Sequence, residues 1–166
     1  MRKFKVAILV LSDSCYRGLK EDASGKEIER ILRSSEISSS WEVVCYEILP
    51  DQKETIKRKL IGLTDEIGVD LVVTTGGTGV SRTDVTPEAT KEVIDKEIPG
   101  IQEMIRMECY KRTPTAVLSR GVCGVRNKSL ILNLPGSSKA VRESLPLVLP
   151  LVPHIIELLH GHTDHN

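Results

Sequence analysis

Three glycines crowded into four positions, Gly76-Gly77-Thr78-Gly79, with Asp84 close behind, are the residues of this chain best placed to do chemistry. The run Val69-Asp70-Leu71-Val72-Val73 before them is apolar and β-branched enough for a buried strand, and Thr86-Pro87-Glu88-Ala89 after them reads as a helix start. The glycines therefore occupy a turn at the end of a strand. There they let the backbone take φ > 0 and bring its amides up to a bulky anion with no Cβ in the way, which is the physics of a phosphate cradle. A carboxylate beside a bound phosphate requires a divalent cation between them, because the two anions would otherwise repel. With Thr86 as the helix cap, no structural role claims Asp84. The stretch is neither G-x-x-x-x-G-K-[ST], since no Lys follows, nor G-x-G-x-x-G, since the helix starts too late after the first Gly.

Other polar residues carry two readings each. Asp51, with Glu54 three positions on, completes a helix cap worth roughly 1 kcal/mol, and it is equally a carboxylate at the end of a strand. Ser12-Asp13 after the first strand suits an Asx turn as well as a ligand contact. Ser137 or Ser138, after Pro135-Gly136, caps the next helix, and such an N-terminus also attracts anions. Ser119-Arg120 offers a guanidinium for a phosphate or for a surface carboxylate. His160, His162 and His165 can capture a transition metal, but a chain terminus holds no fixed coordination geometry.

The elements that must position these residues alternate. Strand-like runs are expected at Phe4 to Leu11, Glu42 to Leu49, Asp70 to Thr74, Thr115 to Leu118 and Ser129 to Leu134. A capping box at Ser24 and Glu27 opens a helix with Ile28, Ile31 and Leu32 on one face, and Asp51 and Glu54 open another carrying Ile56, Leu60, Leu63 and Ile67. Thr86 and Pro87 open a third, using Val93 and Ile94, which Pro99 ends before a fourth over Ile101 to Lys111. From Leu145 to Ile156, Pro146, Pro150 and Pro153 break an apolar run into short helices. The alternation predicts a three-layer α/β/α sandwich around a mostly parallel sheet, one domain over residues 1–166. In such sheets ligands sit beyond the carboxyl ends of the strands, where Ser12-Asp13, Asp51, Gly76 to Asp84, Ser119-Arg120 and Pro135-Gly136-Ser137 all fall.

Composition narrows the function. Lys plus Arg and Asp plus Glu are both 23, so the chain lacks the basic field that a nucleic-acid binder needs. Aromatic residues make up 3%, which leaves no base-stacking platform. Cys15, Cys45, Cys109 and Cys123 show no C-x-x-C pairing and read as reduced thiols of a cytoplasmic protein. The apolar run Val6 to Leu11 is too short for a signal peptide, and the proline-broken run is too interrupted to cross a membrane. A nicotinamide-dependent oxidoreductase would need fingerprint glycines after the first strand and an acidic residue about 20 positions later, which are missing.

The string Gly76-Gly77-Thr78-Gly79 with Asp84-Val85-Thr86-Pro87-Glu88-Ala89, together with Asn133-Leu134-Pro135-Gly136, closely resembles the molybdopterin-binding MoaB/Mog family, its Mog-type adenylyltransferases most of all. Ser12-Asp13, Ser24-Gly25, Pro50-Asp51, Pro99-Gly100 and Ser119-Arg120-Gly121 also stand in that family's order, so the likeness spans nearly the whole chain. The resemblance implies adenylylation of molybdopterin by Mg-ATP, with release of pyrophosphate. Asp51 and Asp84 would be the two essential carboxylates and would hold Mg²⁺. Ser12, Asp13, Gly76, Gly77, Thr78, Gly79, Ser119, Arg120, Pro135, Gly136 and Ser137 would line the pterin and nucleotide, Ser12 and Asp13 on the nucleotide side. It also implies a homotrimer, with other molybdenum cofactor biosynthesis proteins as potential partners. The rival readings are a MoaB-type protein that binds molybdopterin or a precursor without efficient adenylylation, and a trimeric scaffold module.

Overall fold

In the computed structural model, which describes residues 2–34 and 40–162, the chain folds into one six-stranded sheet with helices on both faces. The strands are β1 (Phe4–Leu11), β2 (Trp41–Leu49), β3 (Leu71–Thr75), β4 (Lys96–Glu97), β5 (Cys123–Arg126) and β6 (Ser129–Leu134). Their order across the sheet is β2-β1-β3-β6-β5-β4. The first four in that order are parallel, while at one edge β5 runs antiparallel to β6 and β4 antiparallel to β5.

Alternation along the central strands builds two cores. Val6 and Ile8 of β1, Leu71 and Val73 of β3, and Leu130, Leu132 and Leu134 of β6 point to one face. There they meet α2 (Ser24–Leu32), α5 (Pro99–Tyr110), α6 (Ser138–Val148) and α7 (Val152–Leu159). Ala7, Leu9, Val72 and Ile131 point to the other, against α3 (Lys53–Ile61) and α4 (Thr86–Val93). Both faces of the central strands are buried, which is why they read as near-continuous apolar runs rather than alternating ones.

Several local expectations need correction. Thr115 to Leu118 is not a strand: Pro114–Leu118 is a 3-10 helix, with Val117 and Leu118 52% and 55% exposed. Propensity had no partner strand to act on there. Two strands are unexpected: the two-residue β4, and β5, whose Gly124 masks the pattern and whose two-residue link to β6 turns at Asn127 with φ 51°. α4 stops at Val93 rather than running on to Pro99, because Lys96–Glu97 pairs with β5. The side chain at the head of α2 is Asp22, whose Oδ1 accepts from the Gly25 amide (2.8 Å), and Ser24 is already helical. Ile67 lies outside the core, 54% exposed, because the turn Gly62–Ile67 after α3 widens to a π-helix and shifts the face. The apolar run near the C-terminus breaks once, at the 3-10 turn Leu149–Leu151 that contains Pro150, whereas Pro146 lies inside α6 without ending it and Pro153 stands in the first turn of α7. Among the described residues no helix is long and apolar enough to cross a membrane.

Candidate active site

Parallel register brings the strand ends to one rim. Leu11 pairs with Leu49, Val10 with Thr75, and Thr75 with Leu134, so Ser12, Asp51, Gly76 and Pro135 emerge side by side. Thr75 Oγ1 then donates to the Pro135 carbonyl (2.8 Å), fastening one strand exit to its neighbour.

The glycine loop starts in the left-handed region, with φ 100° at Gly76 and 69° at Gly77. A Cβ on Gly76 would collide with the Leu11 carbonyl oxygen, and one on Gly136 would sit 3.3 Å from the Gly76 Cα. Those glycines permit three strand exits to crowd together. The Gly76 amide donates to the Leu134 carbonyl (3.0 Å), so it is committed to the fold. The next three amides, of Gly77, Thr78 and Gly79, make no hydrogen bond among the described residues and are the ones left free for an anion.

Thr86 does not cap α4. Its Oγ1 donates to the Gly76 carbonyl (2.9 Å) and its amide to the Gly77 carbonyl (3.2 Å), closing the loop on itself. Asp84 folds back over Gly79, where a Cβ would come within 2.8 Å of Oδ2. That oxygen accepts from the Ser81 amide (2.9 Å) and the Ser81 hydroxyl (2.8 Å).

Asp51 resolves between its two readings. α3 begins at Lys53, with Gln52 at the cap position and no side-chain cap bond. Asp51 and Asp13 instead exchange bonds: the Asp13 amide donates to Asp51 Oδ2 (3.0 Å) and the Asp51 amide to Asp13 Oδ1 (2.9 Å). The remaining oxygen, Asp51 Oδ1, is buried with no partner and faces Gly77. Burial pushes the Asp51 carboxyl up; the bond from the Asp13 amide opposes this, and the charges of Asp13 and Asp84 add to it. A buried, unpartnered carboxylate oxygen beside other carboxylates suits a cation. Among the described residues no three His, Cys, Asp or Glu side chains gather into a metal site. Mg²⁺ fits such a place, since it commonly rests on one or two carboxylates plus phosphate oxygens and water.

The loop divides two clefts. One, of about 440 Å³, is lined by Ser12, Ser24, Asp51, Thr75 and Gly76. The other, of about 420 Å³, runs from Thr78 and Gly79 down an apolar wall of Ile105, Cys109, Ala116 and Leu118. Gly77, Asp84, Gly136 and Ser137 line both.

Ser12 Oγ accepts from the Cys15 amide (3.2 Å), heading the four-residue helix α1 (Asp13–Tyr16), and Ser137 Oγ accepts from the Ala140 amide (3.1 Å) at the head of α6. The latter helix start therefore opens onto both clefts. Ser119 follows a 3-10 helix rather than a strand, yet reaches the apolar cleft and Thr78 Oγ1 (3.4 Å). Arg120 lines neither cleft and pairs with the carboxylate of Glu88 instead. His160 and His162 are exposed around a separate cavity with Arg2 and Phe4, at the amino end of β1; His165 lies outside the described residues. Sequence reasoning missed Ile105, Arg106 and Cys109 of α5 and Lys139 and Glu143 of α6 as cleft residues. The amphipathic faces of those helices were the available signal, and it distinguishes core from cleft poorly.

Residues 7–154 match the family described as a probable molybdopterin binding domain. The chain belongs to this family. It is 46% identical over 161 residues to a molybdopterin adenylyltransferase of Helicobacter pylori, covering 97% of this chain and 90% of that one. A molybdopterin adenylyltransferase of Escherichia coli is 36% identical over 173 residues, covering 97% and 88%. A crystal structure of the molybdopterin biosynthesis enzyme MoaB of Thermus thermophilus superposes with a TM-score of 0.86 at 46% identity, over 95% of this chain and 97% of that one. The family's shared fold is thus the α/β sheet described above, and the glycine loop lies inside the matched segment.

Proposed function

We propose that this protein adenylylates molybdopterin with Mg-ATP, a nucleotidyl transfer in molybdenum cofactor biosynthesis. An oxygen of the terminal phosphate of molybdopterin attacks the α-phosphorus of ATP; the bond to the bridging oxygen breaks, and pyrophosphate leaves with its electron pair. The curated relatives carry the name of this activity at 36–46% identity over nearly the whole chain. One structural observation supports it most: Asp51, whose buried Oδ1 has no partner, lines a cleft that shares its wall, Asp84 included, with a second, more apolar cleft.

The polar cleft suits the nucleotide and the apolar one the pterin, with the reacting phosphates meeting at the shared wall. The nucleophile is already anionic and needs no strong base, so catalysis reduces to positioning and charge neutralisation. Bound Mg²⁺ would supply charge neutralisation between the phosphates and the carboxylates of Asp51 and Asp84. The amides of Gly77, Thr78 and Gly79 hold a phosphate, and the start of α6 at Ser137 faces the same charge. Ser12 and Asp13 orient the nucleotide side, Asp13 by holding Asp51. Incubation with molybdopterin and Mg-ATP should release pyrophosphate and give a pterin heavier by one adenylyl group; binding of the pterin without pyrophosphate release would refute transfer.

The same reading carries a homotrimer, a cytoplasmic location and contact with other molybdenum cofactor biosynthesis proteins. Exposed Met107, Tyr110, Val117 and Leu118, on α5 and the following 3-10 helix, support self-association. Sedimentation equilibrium should give three times the chain mass.

A further inference from the structure

Asp84 ends a segment, Gly79 to Asp84, whose residues 80–83 are exposed, Val80 at 73%, and whose own bonds run only between Asp84 and Ser81 and between the Ser81 and Thr83 hydroxyls. Both ends of that segment are gripped by one side chain. Arg120 Nε donates to the Gly79 carbonyl (2.8 Å), and one terminal nitrogen donates to the Asp84 carbonyl (3.0 Å). The other terminal nitrogen pairs with the Glu88 carboxylate, in the first turn of α4. The Arg120 amide adds a bond to the Thr78 carbonyl (2.8 Å), so the backbone at 120 is itself laced to the loop. A guanidinium is a planar fork with donors in fixed directions, which suits it to bridging three acceptors at once.

The same geometry argues against a phosphate for Arg120. Its side chain lines neither cleft and faces a separate depression with Pro87, Glu88 and Lys91. Its charge is met by Glu88, whose carboxyl Arg120 holds below the ordinary range, chiefly through their hydrogen bond. We propose that Arg120 is a positioning residue for Asp84, clamping both ends of the Gly79–Asp84 segment so that the carboxylate stays at the wall between the clefts. This rests on the adenylyl-transfer reading for its effect on rate, but not for its effect on the loop.

The test uses Arg120→Ala and Arg120→Lys in the full chain, with melting checked first. Lys keeps the charge but cannot span three acceptors, so it should behave like Ala. Hydrogen exchange at the Ser81 and Thr86 amides should accelerate in both variants, whatever the protein catalyses. Turnover should fall by about tenfold to a hundredfold, the scale for a misplaced reacting group, with the KM for ATP and the affinity for molybdopterin little changed. Because the effect passes through Asp84, adding Arg120→Lys to Asp84→Asn should lower turnover no further. Unchanged exchange in the loop would overturn the clamp even in an active enzyme. So would rescue by Lys or a raised KM for ATP, which mark a phosphate ligand, or multiplicative losses in the double variant, which mark an effect that does not pass through Asp84. Accelerated exchange in both variants, alongside a wild-type protein that makes no adenylylated pterin, would keep the clamp and refute the transfer reading instead.

Discussion

The two clefts on either side of the glycine loop have nearly equal volumes and, beyond the wall they share, different linings. On the β1 side, Ser12, Asp13 and Asp51 turn main-chain amides and carboxylates towards one another and leave one buried oxygen unpartnered. On the β6 side, α5 and its 3-10 extension present Ile105, Cys109, Ala116 and Leu118. Burial there pushes the Cys109 thiol up, which keeps it neutral and makes it a small apolar contact. One wall thus separates a cleft bordered by a buried, unpartnered carboxylate oxygen from a cleft with a mainly apolar floor. The difference teaches that the loop is a divider, with Asp84 and Gly77 facing both sides.

A change at the divider should damage both clefts at once. Gly77→Val forces a β-branched residue to φ 69° and drives its Cβ into Thr86 Oγ1, the hydroxyl that closes the loop. The strain costs about 1–3 kcal/mol of stability. Binding of molybdopterin and of ATP should both be lost, as read by calorimetry on the folded protein. Loss of one alone would mean that the loop serves a single cleft.

Asp84→Asn should be next in size. The shape survives and Ser81 keeps an acceptor, but one charge leaves the shared wall. Turnover should fall on the order of a hundredfold, comparable with removal of a preorganised electrostatic group, while pterin affinity holds. Full turnover in single-turnover assays would remove Asp84 from the reaction.

How far the sequence disclosed this arrangement differs by element. The central parallel strands were legible almost to the residue, because strands buried on both faces leave an apolar run that few other structures require. The antiparallel edge was not, since two-residue β4 and the Gly-containing β5 depend on pairing with β6 rather than on their own pattern. Helix starts were legible in place and misread in mechanism: Thr86 and Asp51 have the residue types of caps, yet both turn to the loops of the rim. Side-chain chemistry alone cannot tell whether an oxygen bonds its own helix or a neighbouring strand end. Arg120 is the same case, since its partner Glu88 lies 32 positions away.

Asp51→Asn should affect the polar cleft alone, lowering turnover by at least about tenfold, or on the order of 1.4 kcal/mol of barrier. Stability should move the opposite way. The native carboxyl is raised above its unfolded value, so the native state binds the proton more tightly, and stability falls as pH rises through the raised value. At neutral pH the wild type carries that unfavourable charge and the Asn variant does not, so the variant should melt at the same temperature or higher. Below the ordinary carboxylate range the difference should vanish. Acidification through the raised value should also cost wild-type activity, and Mg²⁺ should move that limb to lower pH by favouring the ionised form. An acid limb insensitive to Mg²⁺ would separate Asp51 from the cation.

The smallest effect should come from the apolar wall. Ile105 is 3% exposed, packs in the core below α5 and lines only the cleft opposite Asp51. Ile105→Val removes one methyl group there, which should cost about 0.5–1.5 kcal/mol of stability. If the pterin lies against this wall, its affinity should fall a few-fold from lost contact, on the order of 1 kcal/mol for a buried methylene. The KM for ATP should not change, because no part of Ile105 lines the other cleft. Denaturant titration, pterin affinity and ATP kinetics on the one variant therefore test the division of labour with the least disturbance. A raised KM for ATP with pterin affinity intact would exchange the two assignments and leave Asp51 facing the pterin side of the reaction.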